Sequence, residues 1–231
     1  MPFPYPIASI FAVMMQQDTF RHQGLRRQLV EEIKRKGISN QAVLEAIGRV
    51  PRHLYMDNAF LEFAYQDKAF PIDCGQTISQ PYTVAYQTQL LDSQKGDRIL
   101  EIGTGSGYQA SVLAETGARV FTIERHRPLF ESTRKMLETL NYTYIKCFFG
   151  DGFKGLPGYA PFDKILVTCG APEIPMALVD QLKTGGVMVI PIGPPNDAQV
   201  MTTVLKKPDG QLEIIELDKF RFVPMLGEKV R

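Results

Sequence analysis

Three glycines at alternate positions, Gly103, Gly105 and Gly107, follow the apolar run Ile99-Leu100-Glu101-Ile102. A strand that runs into such a loop brings main-chain amides against a bound cofactor, because glycine permits positive φ and puts no side chain in the way. The spacing, Gly103-Thr104-Gly105-Ser106-Gly107, is GxGxG and not the GxGxxG of a dinucleotide site, and no GK[ST] follows to cradle phosphates. The acidic residues around the loop narrow the chemistry. Glu124 closes the next apolar run, where a carboxylate accepts from both hydroxyls of a ribose. Asp151 closes the third run and is placed for an adenine amino group, while Glu101 is placed to face an ammonium. Read singly, Glu124 is equally a solvated strand end. As a set, the three carboxylates suit an adenosine that carries no pyrophosphate, and S-adenosyl-L-methionine has that form.

A second candidate lies upstream, in Gln76-Thr77-Ile78-Ser79-Gln80-Pro81. Pro81 suits the first turn of a helix over 82–91. Ser79 then has two readings. A serine ahead of a helix caps its free amides; left free of that duty, the same hydroxyl donates to a bound anion. Local sequence leaves both open.

The elements that must position these residues follow from periodicity. Leu25, Leu29 and Ile33, then Val43 and Ile47, predict two short amphipathic helices between 19 and 50, broken at Lys36-Gly37 and closed before Pro51. Residues 51–81 are rich in aromatics and turn formers, over a length that in a compact domain is commonly functional. From 97 onward strands and helices alternate. Strands are expected at 97–102, 119–124, 144–149, 164–168 and 186–192, and helices at 108–115, 127–140 and 175–181. Two more strand-like runs, 199–207 and 212–222, meet at the turn Pro208-Asp209-Gly210. This pattern belongs to the α/β class. It implies a doubly wound, mostly parallel sheet with helices on both faces, right-handed crossovers, and an antiparallel pair at one edge.

An apolar content of 44% and a charged content of 22% are ordinary for a globular chain. The formal net charge of +1, with no run of one sign, gives nucleic acid or an anionic membrane surface little to hold, so neither is an expected partner. Cys74, Cys147 and Cys169 form no CxxC pair and no zinc pattern, so reduced thiols in the cytoplasm are expected, with no metal and no disulfide. His22, His53 and His126 are read as solvated or structural. Residues 1–17 are expected to be a disordered extension. Their apolar stretch at 7–15 is too short to span a bilayer and has no Lys or Arg ahead of it. Translation is expected to begin at Met14 or Met15. Residues 18–231 are read as one domain: helices and a substrate loop over 18–81, a cofactor-binding core over 82–193, and a strand pair over 194–231.

Several segments together resemble the protein-L-isoaspartate O-methyltransferases. They are VPRHLYM (50–56), AYQDKAFPI (64–72), GQTISQPYTVAYQTQLL (75–91), LEIGTGSGYQASVLA (100–114), GDG (150–152), FDKILVTCGAP (162–172), LKTGGVMVIPIG (182–193) and FRFVPMLG (220–227). TISQP is the specific element among them. The resemblance implies a seven-stranded Rossmann-like fold with its last two strands ordered unusually. It also implies methyl transfer from S-adenosyl-L-methionine to the α-carboxyl of L-isoaspartyl residues in damaged proteins and peptides. By that resemblance Ser79 is the active-site serine, Thr77 and Ile78 line its pocket, and Gly103, Thr104, Gly105, Gly107, Glu124, Asp151 and Gly152 contact the cofactor. Val223 pairs with the substrate backbone. Cys169 stands where the family often has alanine, and Met225-Leu226-Gly227 lacks a polar residue that some relatives carry.

The chemistry so implied is an in-line displacement by a carboxylate, which is already ionised at neutral pH with a pKa near ~4. It needs orientation more than a base. A competing reading is a methyltransferase acting on small molecules or nucleic acid. The latter usually carries [DNS]PP[YFW] after the fourth strand, where this chain has Thr168-Cys169-Gly170-Ala171-Pro172. A regulator that binds the cofactor without catalysis is a further alternative. A monomer is expected.

Overall fold

The structure is a computed structural model that describes residues 18–195 and 197–230. The expectations for residues 1–17, including the start at Met14 or Met15, lie outside the described residues.

Helix α1, Phe20–Arg35, opens on a reciprocal cap. Thr19 Oγ1 accepts from the His22 amide and His22 Nδ1 accepts from the Thr19 amide, each at 3.4 Å. It buries Leu29 and Ile33 and ends on Lys34 and Arg35, which complement its C-terminal dipole. Helix α2, Gln41–Arg49, is capped by the Asn40 side chain accepting from the Val43 amide. It stops at Val50, whose extended backbone is the conformation that a following proline demands. Residues 51–80 run through short 3-10 turns and one two-residue pair, β1 (Phe70–Pro71) against β2 (Thr77–Ile78). Helix α3, Pro81–Leu91, follows.

The alternating part reads as β3 (Arg98–Ile102), α4 (Tyr108–Glu115), β4 (Arg119–Glu124), α5 (Arg127–Thr139), β5 (Lys146–Phe149), β6 (Phe162–Val167), α6 (Met176–Gln181), β7 (Leu182–Ile192), β8 (Gln199–Lys206) and β9 (Leu212–Phe220). The sheet order is β5-β4-β3-β6-β7-β8-β9, parallel through β7 and antiparallel for the last two strands, which follow in chain order as a meander. Side chains alternate between the two faces as a strand's period of two requires. Ile99, Val120, Leu166 and Val189 join the core under α1 to α5, whereas Leu100, Ile102, Phe121, Ile165 and Met188 join the core under α6.

Most boundaries fall within one or two residues of the sequence expectation, and three of those that differ have a clear physical reason. Strand β5 begins two residues late, because Asn141 takes φ +65° and a turn closed by the Ile145 amide on the Tyr142 carbonyl uses the residues before it. Strand β7 starts earlier, at Leu182, which pairs with Phe162 ahead of a register shift. Strand β9 ends at Phe220 because its partner β8 begins at Gln199, so residues 221–224 leave the sheet.

Order in the sheet reverses at β3, with β4 on one side and β6 on the other. In such sheets the crevice beyond the carboxyl ends at the reversal is where ligands sit. The glycine loop leaves β3 at that point.

Candidate active site

Two adjoining cavities, of about 60 and about 250 Å³, open beyond the ends of β3, β4 and β6. Both are lined by Gln76, Gly103, Glu124, Cys169 and Val223, so they form one crevice. The smaller end adds Thr77, Ile78, Ser79, Thr104, Gly105, Ser106, Tyr108 and Thr168. The larger end adds Gly152, Arg125, His126 and the segment Pro224–Leu226.

The glycine loop is tied down on both sides. The Gly103 amide donates to the Ile123 carbonyl at 2.9 Å, and Thr168 Oγ1 lies 2.8 Å from the Gly103 carbonyl. A Cβ on Gly103, at φ +98°, would stand 2.6 Å from that Thr168 oxygen. Only glycine fits there. Gly107 has a different reason for being glycine. At φ +82° it is the residue before α4, and a Cβ would strike Thr133 of α5 at 2.8 Å, so it permits helix packing and does not line the crevice.

Glu124 is buried and faces both cavities. Its Oε2 accepts from the Gly105 amide at 3.0 Å and its Oε1 from the His126 amide at 2.9 Å. Two backbone donors fix the carboxylate plane, and each oxygen keeps a lone pair for a hydroxyl. Asp151, in contrast, turns its carboxylate to the Phe153 amide at 3.0 Å and caps the turn after β5. Its neighbour Gly152 lines the crevice instead, where a Cβ would lie 2.5 Å from Ile102.

Glu101 lies beneath the loop, fully buried and off the crevice wall. Neither of its oxygens has a hydrogen-bond partner among the described residues, and burial pushes its pKa up to about 8. A buried acid without partners is held largely protonated at neutral pH. Cys169 also lines the crevice, and burial pushes its thiol up to about 12, which leaves it neutral and unreactive.

The structure separates the two sequence readings of Ser79. The N-cap residue of α3 is Gln80, and no side chain of its own caps the helix. Instead the carboxylate of Asp67, from the preceding loop, accepts the Tyr82 amide at 2.7 Å and the Gln80 side chain at 3.0 Å. Lys36 holds the same carboxylate at 2.6 Å. Ser79 is left at the crevice wall without capping duty.

Sequence reasoning missed several residues of the wall. Thr168 and Tyr108 sit in segments that read as ordinary strand end and helix start. The tail was legible only as a motif. Its packing depends on long-range pairs: Gly170 donates to the Val223 carbonyl at 2.8 Å, Met225 donates to Gly170 at 2.7 Å, and Arg125 donates to the carbonyls of Gly227 and Glu228. Nor did spacing reveal that Asp18, His22 and His53 bring ligand-type atoms within 4.8 Å of one another. There the Asp18 carboxylate is committed to Arg26, at 2.8 and 2.9 Å.

The donors fit an S-adenosyl group by chemistry as well as place: a fixed carboxylate for ribose at Glu124, glycine-only approaches at Gly103 and Gly152, and a neutral, hydroxyl-rich end at Thr77, Ser79 and Ser106. Comparison with known proteins gives the same direction. Residues 24–230 match the family described as protein-L-isoaspartate(D-aspartate) O-methyltransferase. A protein-L-isoaspartate O-methyltransferase of Christiangramia forsetii is 54% identical over 213 residues, covering 92% of this chain and 99% of its own. One of Flavobacterium psychrophilum is 55% identical with the same coverage. Among solved structures, a protein-L-isoaspartate O-methyltransferase superposes with a TM-score of 0.80 at 29% identity, over 87% of this chain and 66% of its own. A putative protein-L-isoaspartate O-methyltransferase from Plasmodium falciparum, in complex with S-adenosyl-L-homocysteine, gives 0.77 at 25% identity, over 87% of this chain and 98% of its own.

Proposed function

The chain belongs to the protein-L-isoaspartate(D-aspartate) O-methyltransferase family, and from that premise we propose how its crevice performs the transfer. The protein is an S-adenosylmethionine-dependent repair enzyme that methylates the α-carboxyl of L-isoaspartyl residues in damaged proteins and peptides. Held at Glu124 and the glycine loop, S-adenosylmethionine would supply an electrophilic methyl on a positively charged sulfur for a substrate carboxylate oxygen, with S-adenosylhomocysteine as the leaving group.

The residues do the remaining work. Glu124, fixed by two amides, takes the ribose hydroxyls; Gly103, Gly105 and Gly152 let the backbone lie close, and Thr104 lines the crevice between the first two. Ser79 donates a hydrogen bond that aims the substrate carboxylate, with Thr77 and Ile78 beside it and Val223 offering main chain to an extended peptide. A carboxylate nucleophile needs no base. Holding the two partners within about 3–3.5 Å is worth ~7–11 kcal/mol of the barrier. The observation that carries this reading is Ser79, uncommitted to the helix behind it, on the same wall as the glycine loop and Glu124.

The reading extends to residues 18–231 acting as one catalytic unit, monomeric and cytoplasmic, with no nucleic-acid partner. Supporting it are the near-zero net charge, three unpaired thiols, and an edge strand β9 that carries Glu213, Glu216, Asp218 and Lys219, charges that discourage pairing with a second copy. No described helix is long and apolar enough to cross a membrane. The test is methyl transfer from labelled S-adenosylmethionine to an isoaspartyl peptide beside its aspartyl twin. Label on the isoaspartyl peptide alone is expected; equal label on both would overturn the substrate assignment.

A further inference from the structure

Arg52 stands in the 3-10 turn Arg52–Tyr55, and its side chain is wholly buried. One nitrogen, Nη2, donates to the Lys68 carbonyl at 3.2 Å. Nε and Nη1 have no hydrogen-bond partner among the described residues. Burial brings its pKa down to about 10, so it still carries its charge at neutral pH. No described carboxylate forms an ion pair with it. The Asp67 carboxylate, whose charge reaches it, is already engaged by Lys36, Gln80 and Tyr82. An unpaired guanidinium away from water is costly, and an apolar side chain of the same volume would fill the space more cheaply. The charge itself therefore calls for an explanation.

The guanidinium lies over the Tyr108 ring, 4.8 Å from its centroid. Tyr108 is on the crevice wall with Ser79, Gly105 and Ser106, and is the first residue of α4, whose N-terminal amides add positive potential. The other side chains at this end (Thr77, Ser106, Gln109) are neutral, and the acid Glu124 stands where the two cavities join. This end of the crevice thus has a helix N-terminus on its wall, with a buried cation against the ring of its first residue, Tyr108.

We propose that Arg52, acting through the face of Tyr108, is the standing positive charge that holds a carboxylate at the Ser79–Tyr108 end of the crevice. The inference rests on reading the crevice as the S-adenosylmethionine site. Two carboxylates take part in the reaction: the amino-acid tail of the cofactor and the α-carboxyl of the substrate. The tail is the source the chemistry favours. Its charge is unchanged by methyl transfer, whereas a fixed cation on the substrate carboxylate would stabilise the starting state more than the transition state.

The test is calorimetric binding of S-adenosylhomocysteine and of 5′-methylthioadenosine, which keeps nucleoside and sulfur but lacks the tail. Both are titrated into the wild type, Arg52→Met and Arg52→Lys. Arg52→Met is expected to weaken S-adenosylhomocysteine about tenfold while methylthioadenosine stays within about twofold, and Arg52→Lys to recover part of the loss. If both ligands hold but the KM for an isoaspartyl peptide rises, the carboxylate held is the substrate's, and the role of Arg52 stands. Parallel loss of both ligands, or no change in either ligand or in the peptide KM, overturns the inference. Should Arg52→Met not fold, Arg52→Gln, which removes the charge and keeps a polar side chain, is read in its place and the same split decides. Failure of the wild type to bind S-adenosylhomocysteine would instead sink the assignment of the crevice.

Discussion

The Asp67 carboxylate accepts the Tyr82 amide at 2.7 Å and so caps α3 from a loop fifteen residues away in sequence. Because Lys36 and the Gln80 side chain meet the same carboxylate, the Ser79-Gln80-Pro81 turn is braced from outside the crevice. The arrangement separates two tasks that one serine would otherwise have to share: ending the loop and addressing the substrate.

Asp67 is therefore a positioning residue, and its effect should run through Ser79. We expect Asp67→Ala to lower kcat about tenfold and stability by ~1 kcal/mol, the usual cost of a lost cap, with S-adenosylhomocysteine affinity nearly unchanged. Asp67→Asn, which keeps the acceptor for Tyr82, should recover most of the activity. In a Ser79→Ala background the kcat effect of Asp67→Ala should largely vanish. Additive losses in a double-mutant cycle would mean that Asp67 supports the fold alone.

Ser79→Ala should reduce methyl transfer on the order of 10²-fold, because a carboxylate no longer aimed at the methyl loses the near-attack geometry. Melting temperature separates the two sequence readings. A lost N-cap costs ~1 kcal/mol, but with Asp67 as the cap the change should stay within about 0.5 kcal/mol. A destabilised Ser79→Ala protein with normal turnover would restore the capping role.

Glu101 gives the protein a pH signature. Its folded pKa, raised to about 8 by burial, exceeds that of an exposed glutamate. The unfolded chain therefore releases this proton first as pH rises, and stability falls from about pH 4.5 to about pH 8 through this group. Glu101→Gln removes that slope. Without cofactor, it should exceed the wild type in stability by more than about 1 kcal/mol at pH 8, with the gap closing near pH 5. Urea melts at both pH values check it, and parallel pH profiles for the two proteins would refute it.

How far the sequence carries depends on whether a feature is local. The helix at Tyr108–Glu115 and the strand at Arg119–Glu124 were readable to the residue, because periodicity and a glycine or acidic stop coincide there. The glycine loop and Glu124 were readable for the same reason. Asp151 was read as closing the third strand; it lies two residues past Phe149, and its carboxylate accepts the Phe153 amide, a contact that no spacing encodes. Arg52 and Asp67 were invisible as site residues. Their roles come from packing against Tyr108 and Tyr82, fifty-six and fifteen residues on, and nothing in their neighbours in the chain announces those contacts. The strand limits fail in the same way, since β9 ends where β8 begins and not where its own residues cease to favour extension.

Arg125 should control how fast the cofactor leaves. Its guanidinium donates to the Gly227 and Glu228 carbonyls at 3.0 Å each, and its own carbonyl accepts from Val230, while the Arg127 amide donates back to Val230. These bonds draw the tail across the larger end of the crevice, where Val223, Pro224, Met225 and Leu226 form a wall. Backbone bonds in an exposed tail open locally at little cost, so the clasp sets the opening rate more than the fold's stability. Arg125→Ala removes the two side-chain bonds and leaves the two backbone ones. Dissociation of S-adenosylhomocysteine should then quicken by roughly three- to tenfold, in keeping with ~1 kcal/mol for bonds of this kind, with melting temperature almost unchanged. Stopped-flow displacement measures the rate directly. If product release limits turnover, kcat rises with it; an unchanged dissociation rate would show that the tail is held by Met225 under the sheet and not by Arg125 at its rim.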